Sequence, residues 1–480
     1  MRRRSAARAA RRATRLRIDD AMNAAASRAA TRRRNAACLA AAAIFIAGQA
    51  LLWLAYYGGG AKRLIGDEAS YQQFAIDILG GGAWMPSTIW PPLQPLFLAA
   101  IYAAAGVHVV AVQIVQTLLF VGCAWLVRDI ARRVAGGVRA ANTAAVLFAL
   151  NPANAAYAQW LWPEVTHLFL VLLAFRLLLS QAAGRIAAGA AGACVGAALL
   201  AKSLLTGFWP AFLIAFADRA RPRFRIVAAA FFLAGLALAT APALLHGWRA
   251  SGRPTIADSS VYNLWVGLTD RFRSDYVEDA GGVTLAEFLA SGATPDERNA
   301  VYLGKIEDRL ADRGIANVAA AQLGRQYFRL FSAKTPLVSQ LPGLACAGHL
   351  SVYRASPALT RTLTIANDAF HALTLAAFAF GIACWRRRPD RAIVLIAIYF
   401  AYQLALFAVL HVKARFLFPM MPFLCLFAGA FLSSVCDRTA GSSDECIALT
   451  PPRLAAGALL GALLLALAFA GPWLDGLCGA

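Results

Sequence analysis

The chain has 480 residues, 60% of them hydrophobic and 15% charged, with a mean hydropathy of +0.59, a balance that excludes an ordinary water-soluble domain. Its formal charge of +21 is concentrated near the start of the chain and in short arginine clusters between apolar runs. That distribution marks one face of a membrane, and no basic and aromatic module accompanies it to suggest nucleic-acid binding.

Residues 1–36 are rich in Arg, Ala and Ser and nearly free of acid. A transit peptide has a similar composition, but the reading adopted is a basic cytoplasmic tail resting on anionic lipid, at about 1 kcal/mol per basic residue near the surface. A first span is expected over 36–57, entering after Arg32, Arg33 and Arg34, so that Gly58 emerges outside. Asp67 then stands at a helix N-cap position, with Glu68 in the first turn and an apolar stripe at Tyr71, Phe74, Ala75, Ile78 and Leu79. The glycines at 80–82 end this helix, which lies on the outer surface. The apolar run 93–105 is too short to span, and treating it as a second surface helix keeps Arg128, Arg132, Arg133 and Arg139 inside.

Further crossings are expected over 109–127, 140–158 (interrupted by Asn151 and Pro152), 162–179, 186–200, 204–216 and 226–245. A long external stretch, 246–357, follows, in which 283–329 carries helical periodicity through Leu285, Phe288, Leu289, Tyr302, Ile306 and Leu310. The last spans fall at 366–385, 392–410, 416–435 and 454–473. The resulting domains are the tail 1–36, a membrane catalytic module 37–245 with its first external loop at 58–107, an external loop or cap 246–357, and membrane helices 358–480. Cys38, Cys123, Cys194, Cys384 and Cys425 lie in apolar runs, where a thiol behaves as a small hydrophobe, and Cys436 and Cys446 read as reduced thiols of an internal loop.

Ionisable residues at the ends of spans are functional candidates, because burying them is costly unless they are paired or solvated. Four groups qualify, all placed at the outer face: Asp67 with Glu68, Glu164 with His167, Lys202, and His411 with Lys413 and Arg415. Carboxylates can accept a proton from an attacking hydroxyl or stabilise an oxocarbenium-like centre. Lysine and arginine can hold the oxygens of a departing phosphate. A sugar on a lipid phosphate suits both. The bland alternatives are a helix cap for Asp67, a first-turn dipole role for Glu68, a snorkelling Lys202 and ordinary loop charges for Lys413 and Arg415. Glu164 and His167 are three apart on one helix face, either half a metal site or an internally hydrogen-bonded pair. Trp84, Trp90, Trp160 and Trp162 read as interfacial belt residues before sugar platforms.

The phrases GDEASYQQFA, PPLQPLFLAAIYAAAG, NPANAAYAQWLWPE, GAALLAKSLL, YNLWVGLTD and HVKARFLFPMMP occur in that order between residues 44 and 428. In them the chain resembles the GT-C superfamily of integral-membrane glycosyltransferases, with its protein O-mannosyltransferases and aminoarabinose transferases (glycosyltransferase family 39-like). By span length the crossings number about eleven, which with the helical periodicity of 283–329 predicts an all-α polytopic bundle with a small external cap; the resemblance implies a GT-C-like fold with juxtamembrane helices in the first external loop. It also implies inverting transfer of a sugar from a polyprenyl-phosphate donor to a protein, lipid or glycan acceptor, at a bacterial inner membrane with the site facing the periplasm. Asp67 becomes the base or transition-state partner with Glu68 beside it, Glu164 the second acid, and Lys202 and Arg415 the phosphate contacts, a set to which the charge pattern adds Lys413 and His411. Two departures stand out: Pro163 precedes Glu164 where relatives place a proline after the acid, and Phe416 follows Arg415 where relatives often carry tyrosine. No cofactor is implied outright, and a divalent metal is left open. The alternative from another class is a lipid or glycolipid transporter or flippase without covalent chemistry, which predicts matched inverted halves meeting at mid-membrane.

Overall fold

The computed structural model describes residues 43–53, 62, 64, 66–179, 184–217, 226–269, 280–333, 337, 356–387, 389–439 and 446–474. The basic tail 1–36 and the arginine cluster at 219–225 lie outside them. The chain divides into two compact units, Met1–Ala50 and Leu51–Ala480. In the first, residues 43–50 are helical, part of helix α1 (Ala43–Trp53).

The second unit is all-helical among the described residues, apart from one isolated antiparallel bridge between Trp385 and Ile447. Its helices are α2 (Asp67–Leu79), α3 (Leu93–Ala105), α4 (Val109–Ala135), α5 (Val138–Leu150), α6 (Pro152–Ala156), α7 (Glu164–Leu178), α8 (Arg185–Ala201) and α9 (Ile226–Ser251). They continue as α10 (Ser260–Leu268), α11 (Ala280–Ala290), α12 (Pro295–Arg313), α13 (Ile315–Arg325), α14 (Pro357–Ala383), α15 (Arg391–Phe407), α16 (Met421–Thr439) and α17 (Pro451–Leu474).

Among the described residues, five segments are long and apolar enough to cross a membrane: α4, α9, α14, the run Ala414–Cys436 and the first nineteen residues of α17; the bent pair Pro152–Gln159 and α7 makes a sixth if it is one broken span. This is a multi-pass membrane protein. Ala414–Cys436 is the centre of the bundle, with 89% of its most apolar stretch buried against 22–39% for the other four, whose remaining faces are left for lipid.

Several expected crossings take other forms. α5, α8 and α15 are apolar but short, and a 13-residue α5 reaches only about 20 Å at 1.5 Å per residue. The stretch expected to cross at 204–216 is not an α-helix; it forms 3-10 turns at Ser203–Leu205 and Trp209–Phe216, interrupted at Gly207 and carrying Pro210 near the second start. Gly207 N–H instead donates to Tyr402 Oη at 3.2 Å.

At Asn151 the side chain accepts from Ala153 N–H (3.0 Å) and Pro152 occupies the first turn, so α5 ends and α6 starts there. The segment Pro152–Gln159 then meets α7 at 113°. α8 and α9 cross closely because both are notched by glycine. A Cβ at Gly192 would sit 1.9 Å from the Phe232 carbonyl oxygen, and one at Gly235 2.0 Å from that of Gly189.

α2 and α3 pack on each other, and neither is long enough to span. Tyr71 and Ala75 of the expected stripe are buried, Phe74 meets Trp90 at 5.7 Å, and Leu79 is exposed. Beside them α10 to α12 form a small helical layer, with α12 opened by a Thr294–Glu297 capping box. Its core of Phe288 and Tyr302 packs on Ile89 and Trp90 of the first loop, and Arg298 Nη2 donates to Thr88 Oγ1 at 3.3 Å.

Candidate active site

Four ionisable side chains from four separate elements meet at one end of the bundle. Asp67 opens α2, Glu164 opens α7, Lys202 follows the last residue of α8, and Arg415 sits in the 3-10 turn Ala414–Met420. Arg415 Nη2 donates to Asp67 Oδ2 at 3.0 Å, and its Nε lies 3.9 Å from Glu164 Oε1. Lys202 Nζ donates to that same Glu164 oxygen at 2.9 Å. The result is an alternating line, Asp67, Arg415, Glu164, Lys202, in which the Asp67 side chain is 35% exposed, the two cations 16% and 15%, and Glu164 2%.

Asp67 does not cap its helix. Gly66 holds the N-cap position at φ 51° and no side-chain cap bond forms, which leaves the Asp67 carboxylate to Arg415. Burial by itself pushes this carboxyl upward, but Arg415, Lys413 and Lys202 together hold it below its ordinary value. Lys413 thus acts on Asp67 through its charge.

Aromatic rings floor the two cations. The Arg415 guanidinium lies 5.0 Å from the Trp162 ring and 5.6 Å from Phe416, and Lys202 Nζ lies 5.3 Å from Phe416, which stacks on Phe407. Phe416, noted above as a departure because it lacks a phenol, supplies a π face to both cations. Trp160 and Trp162 are buried with ring centroids 4.8 Å apart, so neither belongs to an interfacial belt.

The remaining candidates are placed differently. Glu68 is fully buried, paired with Lys62 and accepting from Leu161 N–H at 3.0 Å, on a different side of α2 from the Asp67–Arg415 contact. His167 Nδ1 donates to the Ala198 carbonyl at 3.0 Å, and its Nε2 and Glu164 Oε2 have no hydrogen-bond partner. The internally bonded Glu164–His167 pair considered from the sequence does not form, because Lys202 and Ala198 take the two groups separately. His411 presents its ring edge to Phe416, and its backbone N–H donates to Asn263 O at 3.0 Å. Burial, with Lys413, Arg415 and Arg329 nearby, pushes the pKa of its imidazole well below the usual range. Among the described residues, no three His, Cys, Asp or Glu side chains are grouped to hold a metal ion.

Residues that the sequence reading passed over include Lys62, which lies outside every helix, and three glutamines, Gln94, Gln113 and Gln116. The signal for the glutamines was present: uncharged but strongly polar side chains inside apolar helices require partners.

No family model matches the chain, and no curated protein matches it. Solved structures align with most of it. One is the archaeal oligosaccharyltransferase AglB from Archaeoglobus fulgidus, in complex with an inhibitory peptide and a dolichol-phosphate: 13% identity, TM-score 0.45, 88% of this chain and 55% of that one. The chain thus spans about half the length of AglB. Another is ArnT from Cupriavidus metallidurans. Its apo state shares 17% identity at a TM-score of 0.38, covering 84% of this chain and 80% of that one. Its complex with undecaprenyl phosphate shares 15% at 0.36, covering 83% and 79%.

Proposed function

We propose that this protein is a membrane glycosyltransferase that moves a sugar from a polyprenyl-phosphate donor to an acceptor hydroxyl or amine, with inversion, at the periplasmic face of a bacterial inner membrane. The observation that carries the reading is the alternating line of Asp67, Arg415, Glu164 and Lys202 at one end of an apolar bundle. The order of the sequence phrases shared with the GT-C superfamily supports it.

In this reading the donor phosphate lies against Lys202 and Arg415, with Lys413 adding charge, while its lipid tail stays in the bilayer. The acceptor heteroatom attacks the anomeric carbon from the side opposite the phosphate. A bond from that atom to C1 forms as the bond from C1 to the phosphate oxygen breaks, and the electron pair leaves with the lipid phosphate. The acceptor proton passes to Asp67. At rest that carboxylate is a weak base, because Arg415 holds it low. A phosphate that draws Arg415 toward itself weakens that hold, and loss of an opposite charge raises a carboxylate's basicity. Donor binding therefore prepares the base. Glu164 keeps both cations in place, and Glu68 acts on positioning through its bond to Leu161.

The test is transfer from a radiolabelled polyprenyl-phosphate sugar by purified protein in proteoliposomes supplied with bacterial envelope extract as the source of acceptor. Wild type is expected to release free polyprenyl phosphate, and Asp67→Asn to lose about 100-fold or more in turnover. Full turnover by a correctly folded Asp67→Asn protein overturns the assignment. Movement of the intact labelled lipid across the bilayer without cleavage favours the flippase reading instead.

A further inference from the structure

Residues 157–163 join α6 to α7 inside the bundle, buried throughout and without α-helical structure. Backbone of this kind at membrane depth persists only where protein groups satisfy it. Here four successive carbonyls are met by three glutamine side chains. Gln116 Nε2 donates to Ala158 O at 3.2 Å and Trp160 O at 2.6 Å, Gln113 Nε2 to Gln159 O at 2.9 Å, and Gln94 Nε2 to Leu161 O at 3.0 Å. Gln94 also donates to Gln116 Oε1 at 3.3 Å, which links the amides of α3 and α4. All three are buried.

The chemistry explains the residue type. A primary amide carries two N–H donors and an acceptor without charge, so Gln116 can serve two carbonyls while accepting from Gln94. A carboxylate in its place would set lone pairs against lone pairs. The segment so held carries Trp162, under Arg415, and leads directly into Glu164, which takes Lys202.

We infer that Gln94, Gln113 and Gln116 are positioning residues, an amide rail that sets the course of residues 158–161 and through it the placement of Trp162 and Glu164 against Arg415 and Lys202. The inference rests on the proposed reading of that cluster as the phosphate end of a transferase site.

The test uses the full chain in proteoliposomes with two readouts: turnover of the labelled donor, and residue-resolved labelling by an amine-reactive reagent. In Gln116→Met, turnover is expected to fall about 10- to 100-fold, the scale on which small misplacements act. Lys202 labelling should rise severalfold as Glu164 releases it, with exposed Lys305 unchanged as an internal control. Gln116→Glu, which keeps one O–H donor when protonated by burial, should recover part of both. Loss of stability alone would not unmask Lys202 selectively. If Gln116→Met fails to fold, Gln113→Met, which removes the bond to the Gln159 carbonyl, is read in the same way. Wild-type turnover together with wild-type Lys202 labelling overturns the inference. A wild-type protein without turnover overturns the transferase reading, while the labelling comparison still decides whether the rail positions Glu164.

Discussion

Asp67 and Glu68 are adjacent carboxylates in the first turn of α2, and they belong to two different regions of the molecule. Asp67 faces the polar end of the bundle, partly exposed, and its partner Arg415 is 348 positions away. Glu68 points into the protein, fully buried, with its partner Lys62 only six positions away. One residue of α-helix turns a side chain by about 100°, enough to separate a solvent-facing charge from a sealed one. The first region is open to exchange of partners, since a ligand phosphate can compete for Arg415. The second is closed, since the Glu68–Lys62 pair is sealed from solvent. Adjacent acids in a sequence therefore need not share a chemistry.

The contrast can be broken from its closed side first. Lys62→Met breaks the buried Glu68 ion pair and is expected to cost about 3–5 kcal/mol in thermal or denaturant unfolding. Removing the carboxylate as well, in Lys62→Met with Glu68→Met, should recover most of that loss, less the Leu161 hydrogen bond. A single variant as stable as wild type would place Glu68 in the open class. On the open side, Asp67→Asn should shift unfolding by no more than about 1 kcal/mol, the scale of partly exposed ion pairs, despite its effect on turnover.

Arg415→Lys sharpens the comparison further. It keeps the charge but loses the planar fork that spans Asp67 and Glu164 and stacks over Trp162. Donor KM is expected to rise about tenfold with a smaller change in kcat, measured in the same turnover assay.

The smallest effect is a pH one. The fold lowers the Asp67 pKa below its ordinary value, so its contribution to stability is fully present above the unfolded carboxyl's range and is lost as pH falls through the depressed folded value. Infrared difference spectra of wild type against Asp67→Asn should therefore show the protonated carboxyl band only below the ordinary aspartate range. A band appearing above that range would mean that burial outweighs the three cations.

Much of this architecture was legible in the sequence. The glycines that end α2, the Asn151–Pro152 break, the shortness of 93–105 and the helical periodicity after residue 283 all match the observed elements, because each depends on local backbone chemistry or on a run length. The candidate residues Asp67, Glu164, Lys202 and Arg415 stood out because charge is rare among apolar spans. The failures were equally physical. The run 204–216 has the composition of a span but is broken at Gly207 and carries Pro210, and hydropathy does not register hydrogen-bond geometry. Asp67 had the spacing of a cap, but a long-range guanidinium claimed it.

The sequence by itself determined a multi-pass helical protein and the residue types available for chemistry, because partition into lipid and turn formation are set by nearby side chains. Which carboxylate met which cation, which tryptophan lay beneath Arg415, and which glutamines held the segment before Glu164 were decided only when helices distant in the chain packed together. Those pairings depend on angles and distances of a few ångströms, and such quantities exist only after the chain has closed on itself.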